Sequence, residues 1–212
     1  EPFLRDDIAD VLDVVQAKAP RIVISSNGFL TDRIAHVMAG RDPKVGVRIS
    51  LDGLGATHER VRGVPGAFER AMRTLDVLQE MGVRDLGFGI TVSDDNAHDL
   101  LPMFRLASAR GMEFAIAVTH NGYYFHKTDN VITDKDRVAA EFRRLMRAYL
   151  DTRRPKNWFR AYMATGIINH IYGLPRPLAC RMGTISFFVG PYGEIQACNV
   201  RHMPMGNLKE QT

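Results

Sequence analysis

Four short apolar runs punctuate the first 118 residues, and each is separated from the next by one stretch of helical periodicity. They are Ile22-Val23-Ile24 and the runs at 45–51, 86–92 and 114–118. Leu4, Ile8, Val11, Leu12 and Val15 recur at helical spacing until Pro20 stops them. Thr31 is placed to cap a short helix reaching about Met38, and Phe68, Met72, Leu75 and Leu78 line one face of another that Gly82 ends. A further helix runs from near Ala97 to Gly111. Strands joined by single helices pair in parallel through right-handed crossovers, in a barrel or a doubly wound sheet. The units follow one another without a long reversal. The expected fold class is therefore α/β, a partial (β/α) TIM-like barrel.

Polar residues follow every one of these runs: Ser26-Asn27, Ser50 and Asp52, Thr91 with Ser93, and Thr119-His120-Asn121. Ligand sites of such sheets lie at the carboxyl ends of the strands, so these residues would surround one mouth. Residues 49–75 are the densest part of the pattern, with Ser50, Asp52-Gly53, His58, Arg60, Arg62-Gly63 and Gly66 leading into the amphipathic helix.

Beyond residue 119 the rhythm changes. A loop carrying Tyr123, Tyr124 and Phe125 leads to helices over about 134–151 and 157–171, and Leu174-Pro175-Arg176-Pro177 then breaks the chain. Apolar runs at 184–189 and 194–197 flank Gly190-Pro191-Tyr192-Gly193, a hairpin signal bracketed by Cys180 and Cys198. The expected division is a barrel part over 1–130, a helical connection over 131–173 and a small C-terminal hairpin module over 174–212.

Lys and Arg exceed Asp and Glu by only 28 to 24, and the basic residues are scattered, which argues against nucleic-acid binding. No apolar run approaches the roughly 18 residues that cross a bilayer, and no basic-then-apolar leader precedes the first helix, so no membrane association and a cytoplasmic location are expected. Two cysteines are too few for a secreted disulfide framework.

Three segments, in order, resemble the radical S-adenosylmethionine (radical SAM) enzymes. Glu1-Pro2-Phe3-Leu4 resembles the end of the Gly-Gly-Glu-Pro motif after that family's second strand, and Ser25-Ser26-Asn27-Gly28 its third-strand turn. Ser50-Leu51-Asp52-Gly53 through Arg62-Gly63 and Gly66-Ala67-Phe68-Glu69 resembles the fourth-strand segment, the most specific of the three. The resemblance implies a [4Fe-4S] cluster that binds and reduces SAM, with hydrogen abstraction from substrate. It implies that Glu1 helps bind the SAM ammonium, that Ser50 bonds its ribose or carboxylate, and that Arg62 offers a charge-assisted contact to the carboxylate. Ser26, Asn27 and Asp52 are further cofactor-binding candidates, and Ile90 is a candidate to pack against adenine. In that family the Cys-x3-Cys-x2-Cys cluster loop lies upstream of Gly-Gly-Glu-Pro, so the resemblance implies an N-terminally truncated barrel whose present residues do not hold the catalytic cluster. A flavodoxin or ferredoxin electron donor is implied as well, and the substrate, peptide or small molecule, is open.

Cys180, Gly193 and Cys198 give Cys-x12-Gly-x4-Cys, which resembles the opening of the SPASM or twitch domain that follows many such barrels and binds auxiliary [4Fe-4S] clusters. Asn199 and Met205-Gly206-Asn207-Leu208 fit the same resemblance. Thiolates suit iron-sulfur clusters, and Cys180 and Cys198 are the metal-ligand candidates, with His202 as a further one or as part of a zinc site. The plainer reading is a pair of packed thiols.

Plainer readings accompany the other residues. Asp52-Gly53 and Ser26-Asn27 are common turns, and Arg62 is a common helix-flanking charge. His58, His98 and His126 read as surface or capping residues. The aromatic stripe Trp158-Phe159-Arg160-Ala161-Tyr162 reads as core, and His120 to Tyr124 as closure of the barrel mouth. Two rival functions remain: a metal-dependent barrel aldolase or isomerase using Asp52, His120 and Glu113, and a catalytically inactive SAM-fold scaffold.

Overall fold

The computed structural model describes residues 1–123 and 126–210. Tyr124 and Phe125, part of the aromatic loop read from the sequence, lie outside the described residues.

The chain opens with a 3₁₀ turn at Pro2–Leu4 and then α1, Ile8–Gln16. The single helix expected there is thus interrupted, because Glu1 caps the Phe3 N–H and closes a separate turn. The strands of the wall are β1 (Ile22–Ser26), β2 (Val45–Ser50), β3 (Leu86–Val92) and β4 (Glu113–Val118), all parallel and in sheet order β1-β2-β3-β4. Sequential order without a switch point is what a barrel wall requires.

Between the strands lie α2 (Thr31–Met38), α3 (Ala56–Arg62), α4 (Ala67–Glu80), and α5 (Leu100–Ala109) preceded by a 3₁₀ turn at Ala97–Asp99. Thr31 does not cap α2; it is the first helical residue, and Leu30 holds the cap position. Its hydroxyl lies 2.6 Å from that of Thr74, which donates to the Gly28 carbonyl at 2.6 Å. Thr31 is therefore the donor of the pair, tying α2 to α4.

Strand registry divides the wall into two unlike faces. Ile24, Val47, Ile49, Leu86, Phe88, Ile90, Val92 and Phe114 share one side and are buried in the core with Ala71, Leu75 and Leu78 of α4 and Met103 and Phe104 of α5. The opposite side carries Ser25, Arg48, Ser50, Gly87, Gly89, Thr91, Ala115 and Ala117, most of them small. Ser25, Thr91, Ala115 and Ala117 on that side are exposed. A strand with side-chain period two buries one alternate set and leaves the other open.

Helix α6 (Lys135–Asp151) packs on α5, where Tyr149 meets Phe104 edge to face at 4.7 Å, and α7 (Pro155–Tyr172) packs on α6. The aromatic stripe of α7 is not core: Trp158 is 47% exposed and Phe159 60%. Ala161, Ala164 and Ile171 form its buried side instead. Three strands, β5 (Phe188–Val189), β6 (Glu194–Gln196) and β7 (Pro204–Asn207), make a small antiparallel sheet. The expected hairpin is present as β5 and β6, and β7 adds a strand the sequence pattern did not suggest. Among the described residues no helix is long and apolar enough to cross a membrane.

Candidate active site at the strand carboxyl ends

Glu1, held by its own turn, reaches the end of β1. Its Oε1 accepts from the Ser26 hydroxyl at 2.9 Å and its Oε2 from the Asn27 N–H at 2.7 Å. The Ser26 oxygen also accepts from the Gly28 N–H at 3.1 Å, and Asn27 Oδ1 closes its own turn on the Phe29 N–H at 2.9 Å. Gly28 has a φ of +78°, and a Cβ there would lie 2.9 Å from Ile49 Cγ2, so only glycine suits the turn.

At the end of β2, Ser50 is half-buried on the open side, and its hydroxyl has no partner among the described residues. Two residues on, Asp52 is nearly enclosed. Its Oδ1 accepts from the Thr91 N–H of β3 at 2.9 Å, and its Oδ2 lies 2.8 Å from Arg62 Nη2. Arg62 ends α3, where Gly63 in the left-handed region turns the chain, and Glu59 Oε1 accepts from the Gly66 N–H at 2.9 Å to hold that turn. The guanidinium is about one-third exposed, and its other N–H donors have no partner among the described residues.

Three further residues stand behind this pair: Asn96 and Asp99, which the sequence pattern did not single out, and His58, which it assigned to the surface or to a cap. His58 is buried, not a surface group; its Nδ1 accepts from the Asp52 N–H at 2.9 Å, and Nε2 has no partner among the described residues. Burial, with the nearby Arg62 charge, pushes the His58 pKa below its ordinary value. The bonded Nδ1 is an acceptor, so the proton of the neutral ring sits on Nε2. Asn96, fully buried, donates to the carbonyls of Asp52 and Thr91 at 2.9 Å each. Asp99 accepts from the Leu54 N–H at 2.8 Å beside Gly53, where a Cβ would lie 2.5 Å from Thr57 Cγ2. An Asp-Asp-Asn run ahead of a helix was the available signal for Asn96; nothing periodic marks His58.

Two groups thus stand at the carboxyl ends of neighbouring parallel strands, Glu1 with Ser26 at β1 and Ser50, Asp52 and Arg62 at β2. Ile90 does not join them. Its side chain is on the helix-facing side, 2% exposed in the core, and Gly89 and Thr91 present the open surface at that level. Ser26 shares the inward parity and serves to fix Glu1.

The opposite ends of the strands are closed by ion pairs. Arg21 and Arg48 both bind Asp85, and this hydrogen bonding, Arg21 first, holds its carboxyl below the usual range against the effect of burial. Burial raises the Glu113 pKa, but hydrogen bonds from Lys156, at 2.6 Å, and Arg160 outweigh it and leave it lowered. Glu113 begins β4 and His120 follows its far end, a separation on the order of 16 Å or more along the strand. The aldolase or isomerase set of Asp52, His120 and Glu113 therefore does not converge.

Cys180 is exposed and Cys198 half-buried, both as free thiols. Cys198 Sγ accepts from the Val200 N–H at 3.3 Å. His202 stacks on Tyr123, ring centroids 4.1 Å apart. No three His, Cys, Asp or Glu side chains among the described residues form a metal-binding group, so the zinc site of Cys180, Cys198 and His202 is not assembled.

No family model matches the chain. Curated relatives do. The AdoMet (S-adenosylmethionine)-dependent heme synthase of Nitratidesulfovibrio vulgaris is 27% identical over 235 residues, covering 99% of this chain and 61% of that protein. The Fe-coproporphyrin III synthase of Methanosarcina barkeri is 38% identical over 109 residues, 50% of this chain and 26% of its own. The mycofactocin maturase MftC of Mycolicibacterium smegmatis is 28% identical over 93% of this chain and 50% of its own. The chain spans about three-fifths of the length of the N. vulgaris heme synthase it matches. Among solved structures, SuiB of Streptococcus suis superposes with a TM-score of 0.68 at 14% identity, covering 100% of this chain and 52% of that one. A histidine-tagged anSMEcpe with bound AdoMet gives 0.65 at 17%, covering 100% and 60%. At such identities the structural likeness is one of fold. The homologues are radical SAM enzymes, and the parallel wall of this chain has the fold of their barrels.

Proposed function

We propose that the protein containing this chain is a radical SAM enzyme and that its SAM site is the open face of β1 to β3 at their carboxyl ends. One observation carries the reading. Glu1 is tied to the carboxyl end of β1 and Arg62, through Asp52, to that of β2, where the unpartnered Ser50 hydroxyl also stands, and the neighbouring strand surface at Gly89 and Thr91 bears only small or hydroxyl side chains.

These groups suit the parts of the ligand. Glu1 offers an acceptor to the ammonium, Arg62 a cation to the carboxylate, and Ser50 a hydroxyl to the carboxylate or ribose. An adenine ring lying on the open face meets Gly89 and Thr91. Asp52 orients Arg62, and Ser26 with Asn27 orients Glu1. When bound, a [4Fe-4S] cluster and SAM supply reductive cleavage and hydrogen abstraction. The residues of this chain bind the cofactor, aim it and exclude water. The Cys-x3-Cys-x2-Cys loop expected of the family is not among them, so the catalytic cluster would be held by another part of the protein. Cys180 and Cys198 are proposed as ligands of an auxiliary cluster. A flavodoxin or ferredoxin is the proposed electron donor and the cytoplasm the proposed location.

Substrate follows less directly. The relatives are named as heme or coproporphyrin synthases and as a mycofactocin maturase, and SuiB has been seen bound to the precursor peptide SuiA. A small molecule or a peptide substrate is consistent with them. The test is anaerobic reconstitution of the complete protein with iron and sulfide, then dithionite and SAM, with 5′-deoxyadenosine measured by chromatography. Product that falls sharply in an Arg62→Ala variant supports the reading. A cluster-loaded protein that binds SAM yet forms none points to a scaffold.

A further inference from the structure

Beside the carboxyl end of β4 lies a cavity of about 600 Å³ that the SAM reading leaves unused. Its size falls in the range of small-molecule sites. One wall is a side of α7 next to its buried one, where Tyr162, Met163 and Ile167 line the cavity and Gly166 lets the chain opposite come close. A Cβ on Gly166 would stand 3.3 Å from Pro177 Cδ, so a larger residue there would press on that wall. The other wall is the segment after α7, with Leu178 and Ile185 presenting apolar surface.

The charges are one-sided. Arg176 and Arg181 line the cavity with His120 and His170, and no aspartate or glutamate is among the lining residues. Neither arginine side chain has an ion-pair or hydrogen-bond partner among the described residues. Arg21, Arg48, Arg110 and Arg160, by contrast, each pair with a carboxylate. Two unpaired guanidinium forks at an apolar hollow are suited to carboxylate, which they grip through paired N–H donors.

We infer that this cavity binds an amphipathic organic anion, a broad apolar body carrying one or more carboxylates, with the body against α7 and the carboxylates on Arg176 and Arg181. As a binding site it stands on its own residues. As the substrate pocket of the enzyme it rests on the radical SAM reading, because the cavity lies by the carboxyl end of β4, the strand next to β3 in the same wall.

The test uses the complete protein and a matched pair of fluorescent probes, pyrenebutyrate and the neutral pyrenebutanol, titrated without SAM. Pyrenebutyrate should bind more tightly, and R176Q/R181Q should weaken it by about tenfold or more while changing pyrenebutanol little. Leu178→Glu, at an exposed position, adds a carboxylate to the wall and should weaken the anion selectively. Equal affinity for the two probes, or an arginine variant that binds pyrenebutyrate as the parent does, overturns the inference. So does a variant that loses iron with unchanged probe affinity, which would assign the arginines to a cluster at Cys180. SAM binding by equilibrium dialysis, measured in parallel, reports on the cofactor site separately.

Discussion

Arg62 Nη2 stands 2.8 Å from Asp52 Oδ2, so the two ends of the loop and helix that follow β2 are joined by one ion pair. The sequence offers the two as independent ligand candidates, and the pair gives them a shared role. Asp52→Ala frees the guanidinium and leaves the Thr91 N–H without its acceptor. We expect a loss of about 1–2 kcal/mol in stability, since Arg62 is partly solvated. SAM affinity, followed by equilibrium dialysis, should fall by about tenfold; full affinity with reduced stability would confine Asp52 to the fold.

His58 ties protonation to stability. Its folded pKa lies below the ordinary 6.5, so the fold favours the neutral ring. Stability is then complete above pH 6.5 and declines as pH falls below it toward the folded pKa, because the unfolded chain takes up the proton first. Chemical denaturation between about pH 5 and 8 should show this slope, and His58→Gln should flatten it. The same variant should cost about 1–3 kcal/mol at neutral pH through the disturbed Asp52 N–H contact. An unchanged slope would place the titration elsewhere.

Ser26 supports Glu1 and the Gly28 turn with a single oxygen. Ser26→Ala should lower thermal stability by about 1–2 kcal/mol and weaken SAM binding severalfold, because the carboxylate loses its fixed direction. Binding that survives intact would separate Glu1 from the cofactor.

The thiols bear on iron. Replacing Cys180 and Cys198 with Ala in the complete protein should lower iron per polypeptide after anaerobic reconstitution, with the corresponding loss in the electron paramagnetic resonance spectrum. Unchanged iron would leave both as packing residues.

Glu113 provides the control. Glu113→Gln weakens its pairs with Lys156 and Arg160 and should cost about 1 kcal/mol. SAM affinity should not move, since the residue sits at the far ends of the strands. A fall in SAM affinity comparable to that of Asp52→Ala would revive a role for it in the site.

The parallel wall was legible because each strand is a short apolar run set between stretches of helical periodicity, and Glu1 with Ser26 because the motif order put both at one rim. Helix α3 was not, since its seven residues bury Thr57 and His58 rather than an apolar stripe. Strand β7 was hidden by the proline and glycine of Pro204-Met205-Gly206-Asn207. The exposed aromatics of α7 depart from a core reading because their spacing on a helix does not reveal which side finds a partner. The side of the sheet on which each candidate falls depends on registry, which places Ser25 and Thr91 on the open surface while turning Ser26 and Ile90 inward. That information is absent from any one segment taken alone.

The alternation along β1 to β4 also separates two kinds of evolutionary freedom. Exchanges at Ser25, Ser50, Thr91, Ala115 or Ala117 change the chemistry of the open surface yet disturb little of the packed layer, so that surface can vary one codon at a time. Insertion of a single residue within β3 would do the reverse, exchanging the faces of Phe88 and Ile90 with those of Gly89 and Thr91 and so setting small groups against the helices.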